Sequence, residues 1–530
     1  MSVTIEVHIL LGLGMGALAS CADPVAENCV PGHSVTCPCA QGGMSNQVCG
    51  PDGVYEPCRC GDDTEGAGSV GSDDDDDDDA PTTGDDDDDA AAFDPLWSLG
   101  FELGERGSVH DMAIDADGGI YVTGVVYEAP GASVDFGAGP HPAYAATVTP
   151  FILKVGSSGA LEWSRTFVGG TDDCELYGGY GYAVAVDEDG TVLLGGQTCA
   201  STDFEVGAVG PSGLDCFGLI GYLARFDPTG LPLEVQALGE GAITRLRTTP
   251  SGGLIAAAYG STASAECRLD LGDGPISGLV LAHLSSTLAL SWRTGFSATL
   301  SVGINDVAVN DAGQIAVGGA YAGTFGIGGR PVDSGGNENP WAALLDPSGG
   351  IVWGRPFASA VGFGRTTGVA IDADGAAAFT GQFGFEMDFG AGPEPAQGSF
   401  EHGFVSSHGP GGSLQWVQNW APAETGVVVL KAASHEGRRF VVAFAHDDVL
   451  VAGETFGETF EPMIVAELAA DGSIATHRTF RTDEETTSVA RMAIAPDGTL
   501  VLAGHSVTDV EFDQELDLDD DGYVVKLSLP

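Results

Sequence analysis

The sequence predicts an all-β protein, a seven-bladed β-propeller built of four-stranded antiparallel blades. The main observation is a pattern of an apolar run, a turn of the D-x-D-G type and a second apolar run ending in glycine, as in YAVAVDEDGTVLLGG at 182–196. The pattern occurs seven times, with turn glycines Gly118, Gly190, Gly252, Gly313, Gly375, Gly437 and Gly498. These glycines are separated by 72, 62, 61, 62, 62 and 61 residues. Spacing this regular indicates a repeat architecture.

Each repeat also holds a second pair of apolar runs, which supplies two more strands. Clear examples are GYLARFDPTGLPLEVQAL at 221–238 and PWAALLDPSGGIVWGRPF at 340–357. Short runs rich in Val, Ile, Leu and Phe between Gly, Asp, Pro and Ser are typical of strands, and Asp with Gly favours tight turns between them. Four antiparallel strands repeated around a ring are the blades of a propeller.

The strand count predicts how the ring closes. Seven third strands are found only if DGYVVKLSLP at 521–530 is counted as one of them. Seven fourth strands are found only if PLWSLGFEL at 95–103, which precedes the first repeat, is counted as one of them. The last blade would therefore combine three strands from the C-terminus with one from the N-terminal side. Closure of this kind removes the exposed sheet edges that promote aggregation.

The repeat segments resemble a known family. YAVAVDEDGTVLLGG…CFGLIGYLARFDPTG and TGVAIDADGAAAFTGQFG…MDFGAGP…HGFVSS resemble the bacterial seven-bladed β-propeller repeat family, in which D-x-x-G-N-V-Y-V-T-G precedes a strand like A-F-V-A-K-L-D. The resemblance covers about residues 94–530. It implies the propeller fold and no particular reaction, because the members share no single established activity.

Residues 1–20 are predicted to be a lipoprotein signal peptide. The apolar run Ile9–Ala19 is too short to span a membrane and ends in small residues, as secretion signals do. Leu18-Ala19-Ser20-Cys21 looks like a bacterial lipobox, so Cys21 is the predicted lipidation site. The segment before the run carries Glu6 and no Lys or Arg, which is atypical, and a cytosolic N-terminus with an incidental cysteine is the alternative.

Residues 21–60 are predicted to form a small disulfide-stapled module. The segment contains few apolar residues and six further cysteines: Cys29, Cys37, Cys39, Cys49, Cys58 and Cys60. A chain this short cannot bury a useful core, so it needs cross-links. A metal site is the alternative, although the C-x-C spacing differs from that of common zinc sites. The sequence does not decide which cysteines pair.

Residues 61–93 are predicted to be a disordered acidic linker that holds the propeller (94–530) away from a membrane. Its aspartate runs, 73–79 and 85–89, repel one another and extend the chain. Weak cation binding by these runs is compatible with the same role. The whole chain has 76 acidic and 19 basic residues, a net charge of −57, which excludes a nucleic-acid-binding role because such proteins need a basic surface.

Four more cysteines lie in the propeller: Cys174, Cys199, Cys216 and Cys267. All four fall in second-to-third-strand loops or blade connections, which share one face of a propeller. Two disulfides on that face are the prediction for an oxidising compartment, and isolated buried thiols are the alternative.

Calcium is the one cofactor that the sequence suggests. Asp517, Asp519 and Asp521, followed by Gly522, match the start of a D-x-D-x-D-G loop, whose alternating carboxylates converge on a hard cation. The expected glutamate at loop position twelve is replaced by Ser528, so an acidic strand connection is the alternative. The shorter D-x-D turns beginning at Asp115, Asp187 and Asp372 are predicted to be plain β-turns.

No catalytic set follows from the sequence. Trp163, Trp292, Trp353 and Trp416 recur at similar blade positions, a loose similarity to the repeat of quinoprotein dehydrogenases, in which the tryptophan docks blade against blade. They therefore predict packing. Motifs for zinc proteases, serine hydrolases and phosphate loops are absent, and the loop carboxylates Asp172, Asp173, Glu175 and Glu401 near His402 would act together only if folding joins them.

The sequence favours an exported, lipid-anchored cell-envelope protein, on the outer membrane or cell surface, whose propeller binds a protein, peptide or glycan without catalysis. The irregular loops 126–150, 168–182 and 199–217 are expected on the face where propellers usually bind ligands, which is an argument from fold analogy. A propeller enzyme, either a glycan-active hydrolase or lyase or a quinoprotein, is the alternative.

Overall fold

The computed structural model describes residues 34–38, 44–48 and 92–530, apart from loop residues 105, 128–132, 138, 143–147, 168, 170–177, 200, 211–217, 262–266, 360, 397–400, 423–425, 446–447, 452–453, 457–461, 483–486, 508–509, 513–514 and 517–520. The described elements are all strands, as the sequence predicts. Among these residues there is no helix that could cross a membrane. Two compact units, 1–86 and 87–530, divide the chain.

The strands are numbered in chain order. The first are β1 (Ser34–Pro38), β2 (Met44–Val48), β3 (Pro95–Glu102), β4 (Ser108–Ile114), β5 (Ile120–Val126), β6 (Ser133–Asp135), β7 (Pro140–Pro142), β8 (Thr149–Val155), β9 (Leu161–Thr166), β10 (Gly179–Val186), β11 (Val192–Thr198), β12 (Thr202–Asp203) and β13 (Ala208–Val209). Next are β14 (Ile220–Phe226), β15 (Pro232–Thr248), β16 (Leu254–Gly260), β17 (Gly278–Leu284), β18 (Leu290–Phe296), β19 (Ser301–Val309), β20 (Ile315–Ile327), β21 (Arg330–Leu345), β22 (Ile351–Pro356), β23 (Phe363–Ile371), β24 (Ala377–Gly384), β25 (Glu386–Asp388) and β26 (Pro393–Pro395). The last are β27 (His402–His408), β28 (Leu414–Pro422), β29 (Val427–His435), β30 (Arg438–Ala445), β31 (Val449–Val451), β32 (Glu454–Phe456), β33 (Met463–Leu468), β34 (Ile474–Thr482), β35 (Ser488–Ile494), β36 (Leu500–Ser506), β37 (Val510–Glu511), β38 (Glu515–Leu516) and β39 (Asp521–Leu527).

In the first unit, β1 pairs with β2 in an antiparallel hairpin. The second unit is a β-propeller of antiparallel sheets. Its described strands pair in seven successive four-stranded ladders, β4-β5-β8-β9, β10-β11-β14-β15, β15-β16-β17-β18, β19-β20-β21-β22, β23-β24-β27-β28, β29-β30-β33-β34 and β35-β36-β39-β3. The long strand β15 belongs to two ladders and joins them into one sheet. Strands β31–β32 and β37–β38 extend the fifth and sixth ladders.

The N-terminal strand β3 closes the last ladder, as predicted. It pairs along its length with β39, the C-terminal strand. At the ends of this pairing, the Leu103 amide donates to Asp521 Oδ1 at 3.1 Å and the Ser528 amide donates to the Asp94 carbonyl at 2.8 Å. The backbone groups of β3 and β39 therefore pair with each other, so neither strand leaves an open sheet edge along this pairing.

The D-x-D-G segments form the tight turns that the sequence predicts. All seven turn glycines have a positive φ, between 72° and 85°, a conformation that costs other residues free energy. In the first repeat the Gly118 amide donates to the Asp115 carbonyl at 3.1 Å, and Asp115 Oδ1 accepts from the Asp117 and Gly119 amides. The aspartate side chain thus replaces backbone acceptors that the turn lacks.

The apolar core lies between neighbouring ladders. One cluster packs Phe101 and Val524 of the closing ladder against Val109 and Phe151 of the first. Loops between second and third strands also take part, because they form small hairpins rather than irregular loops. Hairpins β6–β7 and β12–β13 occupy parts of 126–150 and 199–217, so the expectation that these segments are wholly irregular is wrong.

Candidate functional site at the centre of the ring

Every first strand of the seven ladders contains a β-bulge at the same place. The register shifts by one residue at His110, Tyr182, Thr244, Asn305, Thr367, Leu430 and Ala490. The residues that follow these bulges are Asp111, Ala183, Arg245, Asp306, Gly368, Lys431 and Arg491. Bulges re-aim side chains and are common beside functional sites. They align one set of residues around the centre of the ring.

The two carboxylates in this layer accept hydrogen bonds from arginine side chains and backbone amides. Asp111 Oδ2 accepts from Arg247 Nη1 at 2.9 Å and from the Val184 amide at 3.3 Å. Asp306 Oδ1 accepts from Arg247 Nη2 at 3.2 Å and Arg491 Nη1 at 2.8 Å, while its Oδ2 accepts from the Val369 amide at 3.0 Å. Both carboxylates are almost completely buried. They serve as counter-ions of Arg247 and Arg491.

The other two cations of the layer contact only carbonyl oxygens. Arg245 Nε donates to the Asn305 carbonyl at 2.7 Å and its Nη1 to the Thr244 carbonyl. Lys431 Nζ donates to the Thr367 carbonyl at 2.7 Å. In the described part of the chain, neither makes a salt bridge with a carboxylate.

The electrostatics follow from burial and from this charge balance. Burial lowers the pKa of Lys431 to about 8, and the positive charges of Arg245 and Arg491 act in the same direction. The pKa of Arg245 is also lowered by burial. Burial alone would raise the pKa of Asp306, but Arg491, Lys431 and Arg247 hold it well below its ordinary value.

A layer of alanines lies two residues further along the same strands. A cavity of about 260 Å³ is bounded by Ala308, Ala370, Ala433 and Ala493 together with the guanidinium groups of Arg247 and Arg491. Because alanine side chains are small, the first strands can crowd the centre and still leave this space. The cavity therefore has a lining of mixed polarity that includes two arginines.

An aromatic group lies near the beginning of β4 and β10, the first strands of the first two ladders. The rings of Tyr180 and Tyr182 stack with centroids 5.2 Å apart, and the His110 ring lies 5.3 Å from that of Tyr182. His110 Nδ1 is 2.8 Å from the Gly181 carbonyl, which must accept, so Nε2 is left to accept from Ser108 Oγ at 2.8 Å. Burial lowers the pKa of His110 to about 4. This histidine is neutral at pH 7.

Comparison with known proteins concerns the fold. No family model and no curated protein matches the sequence. Among solved structures, the Pan2 WD40 domain of Neurospora crassa is similar with 10% identity and a TM-score of 0.43, covering 83% of this chain and 96% of that one. The β-propeller domain of the Trilobed protease from Pyrococcus furiosus is similar with 9% identity and a TM-score of 0.40, covering 78% and 98%. A protein of unknown function from Dyadobacter fermentans is similar with 10% identity and a TM-score of 0.39, covering 83% of this chain and 100% of that one.

All three TM-scores lie below 0.5. No activity or ligand of these proteins is carried over at such identities. The assignment to the bacterial seven-bladed repeat family, which rests on the repeat motifs, accordingly stays a prediction.

The predicted cysteine sites lie partly outside the described residues. Cys199 and Cys267 are each disulfide-bonded in the structure. Cys174 and Cys216 lie outside the described residues, as does Cys21. Of the N-terminal module the structure describes only the backbone of β1 and β2, so the side chains of Cys29, Cys37, Cys39, Cys49, Cys58 and Cys60 are not placed.

The predicted calcium loop is described at one position only. Asp521 opens β39 and its Oδ1 accepts from the Leu103 amide, whereas Asp517 and Asp519 lie outside the described residues. Among the described residues there is no group of three His, Cys, Asp or Glu side chains suited to hold a metal.

The loop carboxylates near His402 do not form a described catalytic group. His402 Nδ1 contacts Asn419 Oδ1 at 2.7 Å, and Glu401 accepts from the Gln382 amide group. Asp172, Asp173 and Glu175 lie outside the described residues. The central charges and the Ser108–His110 contact were missed at the sequence level. The available signal was charge at the seventh residue before a turn glycine, as in Asp306 before Gly313 and Arg491 before Gly498, where alanine or glycine would suit packing better.

Proposed function

We propose that the chain is an exported, lipid-anchored cell-envelope protein of the bacterial seven-bladed propeller type, and that its propeller is a non-enzymatic recognition module for a protein, peptide or glycan. The membrane would be reached through the lipid on Cys21 and the acidic linker 61–93. The ligand would bind where the second-to-third-strand loops and blade connections meet the centre of the ring.

The observation that carries recognition is the aromatic group of Tyr180, Tyr182 and His110. It lies at the start of β10, directly after the blade connection at 170–177. Flat rings with a polar tip offer large contact area at low conformational cost, and binding surfaces use them for that reason. Tyr182 is held in place by Gln197, whose Nε2 donates to its hydroxyl oxygen at 2.9 Å.

The central charges also favour binding over catalysis. Asp111 and Asp306 each accept from arginines and from backbone amides, so they act as fixed counter-ions. A general acid or base needs a proton that it can exchange near pH 7. The strongly lowered pKa of Asp306 keeps it ionised throughout the physiological range.

Export is supported by the disulfide-bonded state of Cys199 and Cys267, since disulfides persist in oxidising compartments. The lipid anchor is tested by cell fractionation and by metabolic labelling with a fatty acid. We expect label and membrane association in the natural chain and their loss in Cys21→Ser. A Cys29→Ser variant, which changes a cysteine of the adjacent module, controls for general misfolding. Equal labelling of Cys21→Ser and the natural chain would overturn the anchor.

Recognition is tested by screening the full chain against glycan and envelope-protein arrays, followed by titration of each hit. We expect saturable binding that weakens at least tenfold in Tyr180→Ala. Tyr259→Ala is the matched control, because Tyr259 is 46% exposed on β16, a strand of another ladder. Equal losses in both variants would remove the aromatic group from the binding site.

A hydrolase is the second candidate, and one contact favours it. Ser108 Oγ donates to His110 Nε2 at 2.8 Å, the arrangement of a nucleophile and its base. The orienting partner of the histidine is the Gly181 carbonyl rather than a carboxylate, and a pKa of about 4 makes a weak base at pH 7. A fluorophosphonate probe decides between the two: labelling that Ser108→Ala abolishes supports the hydrolase, and no labelling supports recognition.

A further inference from the structure

We propose that the centre of the ring binds a small oxyanion, a carboxylate or phosphate group, held by the Arg245 guanidinium and the Lys431 ammonium. This site lies beside the aromatic group, since the charge of Arg245 acts on His110, but its test uses inorganic phosphate and so does not depend on the ligand proposed above. The proposal stands on the charge balance, hydrogen bonding and space at the centre.

The charge balance leaves two positive charges uncompensated. Among the described residues the centre holds four cations, namely Arg245, Lys431 and Arg491 of the layer and Arg247 two residues beyond Arg245, against the two carboxylates Asp111 and Asp306. The carboxylates are occupied by Arg247 and Arg491. The excess of two charges therefore falls on Arg245 and Lys431.

Such an arrangement is costly without a counter-ion. Arg245 and Lys431 are partly buried, so each loses part of its hydration, and carbonyl dipoles replace only some of what is lost. Arg245 and Lys431 also repel each other, and the positive charge of Arg245 disfavours protonation of Lys431. An anion with several oxygen acceptors would accept from both groups and cancel the repulsion.

The excess charge persists at neutral pH. Lys431, with a pKa of about 8, remains mostly protonated at pH 7, and an arginine stays protonated in any protein. The charged groups that act on Lys431 are Asp306, Arg245, Arg491 and Asp111. His110 and His505, whose pKa values burial lowers to about 4, are neutral and add no further positive charge.

Space next to the layer fits a small anion. Arg245 and Lys431 are only partly buried, so a small ion at the centre can reach them, and the cavity of about 260 Å³ adjoins the layer at Arg247 and Arg491. The rest of the chain is strongly acidic, with 76 acidic against 19 basic residues in the whole sequence. The centre is therefore a concentrated positive region within an acidic protein, and it selects anions small enough to enter.

The direct test is NMR of the full chain labelled with ¹³Cε-lysine, titrated with inorganic phosphate at constant ionic strength. The chain has only three lysines, Lys154, Lys431 and Lys526, so each signal can be assigned by substitution. We expect saturable movement of the Lys431 signal and a rise of its pKa by at least one unit. The signals of Lys154 and Lys526, which pair with Glu162 and Asp497, should stay unchanged.

Calorimetry of variants provides the second measurement. We expect phosphate binding at one site, weakened at least tenfold in Lys431→Met and in Arg245→Met and unchanged in the control Lys154→Met. If Lys431→Met misfolds, the NMR titration of the natural chain still decides. The proposal is overturned if the natural chain shows no saturable phosphate effect on Lys431, or if Lys431 is already neutral at pH 7 without an anion.

Two further arms distinguish a free ion from a group on a larger ligand. Acetate and phosphate report the free anions, and glucuronate is compared with glucose at equal concentration. Binding of glucuronate, but not glucose, with the same loss in Lys431→Met would place a ligand's carboxylate at the centre. Binding of acetate and phosphate without glucuronate would restrict the site to free ions.

Discussion

The Trp292 indole nitrogen donates to the Pro347 carbonyl oxygen at 3.0 Å and so joins two neighbouring blades. Trp292 lies on β18, the last strand of one ladder, and Pro347 lies in the turn between β21 and β22 of the next. The same contact recurs for Trp97 with Ser157, Trp163 with Pro228 and Trp416 with Ala470. The prediction that the repeated tryptophans dock blade against blade is confirmed, although Trp353 docks by its ring against Gly412 of the next blade and, in the described structure, its indole nitrogen has no hydrogen-bond partner.

Removing the Trp292 ring is expected to weaken this joint. Trp292→Ala should lower the free energy of unfolding by about 2 kcal/mol, below the range for a fully buried tryptophan because the ring is half-buried. Trp292→Phe should lose about 1 kcal/mol, the net value of one hydrogen bond. Urea denaturation midpoints measure both. The control Tyr259→Ala should change by less than about 0.5 kcal/mol, and an equal midpoint for Trp292→Ala and this control would contradict the docking role.

A matched pair of glycines separates the ring contact from backbone strain. Gly349 and Gly437 have φ values of 81° and 80°, but an added Cβ would overlap the Trp292 ring at Gly349 and meet nothing within 4 Å at Gly437. Both alanine variants should lose about 1 kcal/mol from strain. Gly349→Ala should lose about 1 kcal/mol more from overpacking. Equal unfolding free energies for the two variants would show that the Trp292 ring moves aside without loss of stability.

The fold could be predicted largely because its signals are local. Each turn of the D-x-D-G type has a positive-φ glycine, several also carry their own aspartate acceptor, as Asp115 and Gly118 show, and repetition multiplies the signal. The hairpins between second and third strands were missed, although Asp135 and Asp388 accept from glycine amides two and four residues later in the same way. Their motif, D-F-G-x-G, stands in the sequence but is present in fewer repeats.

Acid is expected to destabilise the protein partly through His408. This side chain is fully buried among Trp353, Phe357 and Phe379, and in the described structure neither ring nitrogen has a hydrogen-bond partner. Burial, with Arg355, lowers its pKa to about 3. The unfolded chain binds the proton at about pH 6.5 and the folded chain does not, so this histidine's contribution falls as pH decreases from 6.5 toward 3.

The variant His408→Phe isolates that contribution. Its stability relative to the natural chain should rise by about 2 kcal/mol between pH 7 and pH 5, because one proton uptake is removed. Urea midpoints at the two pH values measure the change, and the pH 7 value controls for altered packing. A pH-independent difference would mean that His408 is protonated in the folded protein.

Calcium at Asp517, Asp519 and Asp521 remains a prediction with a simple test. We expect millimolar CaCl₂ to raise the Tm by several degrees, since a ligand that binds only the folded state stabilises it, and Asp519→Ala to abolish the rise. MgCl₂ at the same ionic strength is the control. No calcium-specific rise would identify 517–521 as an acidic connection, in which Asp521 serves the Leu103 amide.

The central site could not be predicted because it has no local motif. Asp306 and Arg491 are 185 residues apart in the chain, and only the closed ring brings them within 2.8 Å. Asp111 and Arg247 belong to different blades and meet across the centre in the same way. A pattern search within one repeat sees a single unusual charge at each position, whereas the balance of four cations and two carboxylates exists only in three dimensions.

The most direct test of the recognition module follows a bound ligand over time. The full chain is incubated with the tightest ligand from the array, binding is followed by calorimetry, and the recovered ligand is analysed by mass spectrometry. We predict saturable binding, weakened in Tyr180→Ala, with the ligand recovered unchanged. Product that accumulates with the natural chain and not with Ser108→Ala would contradict the account and identify the propeller as an enzyme.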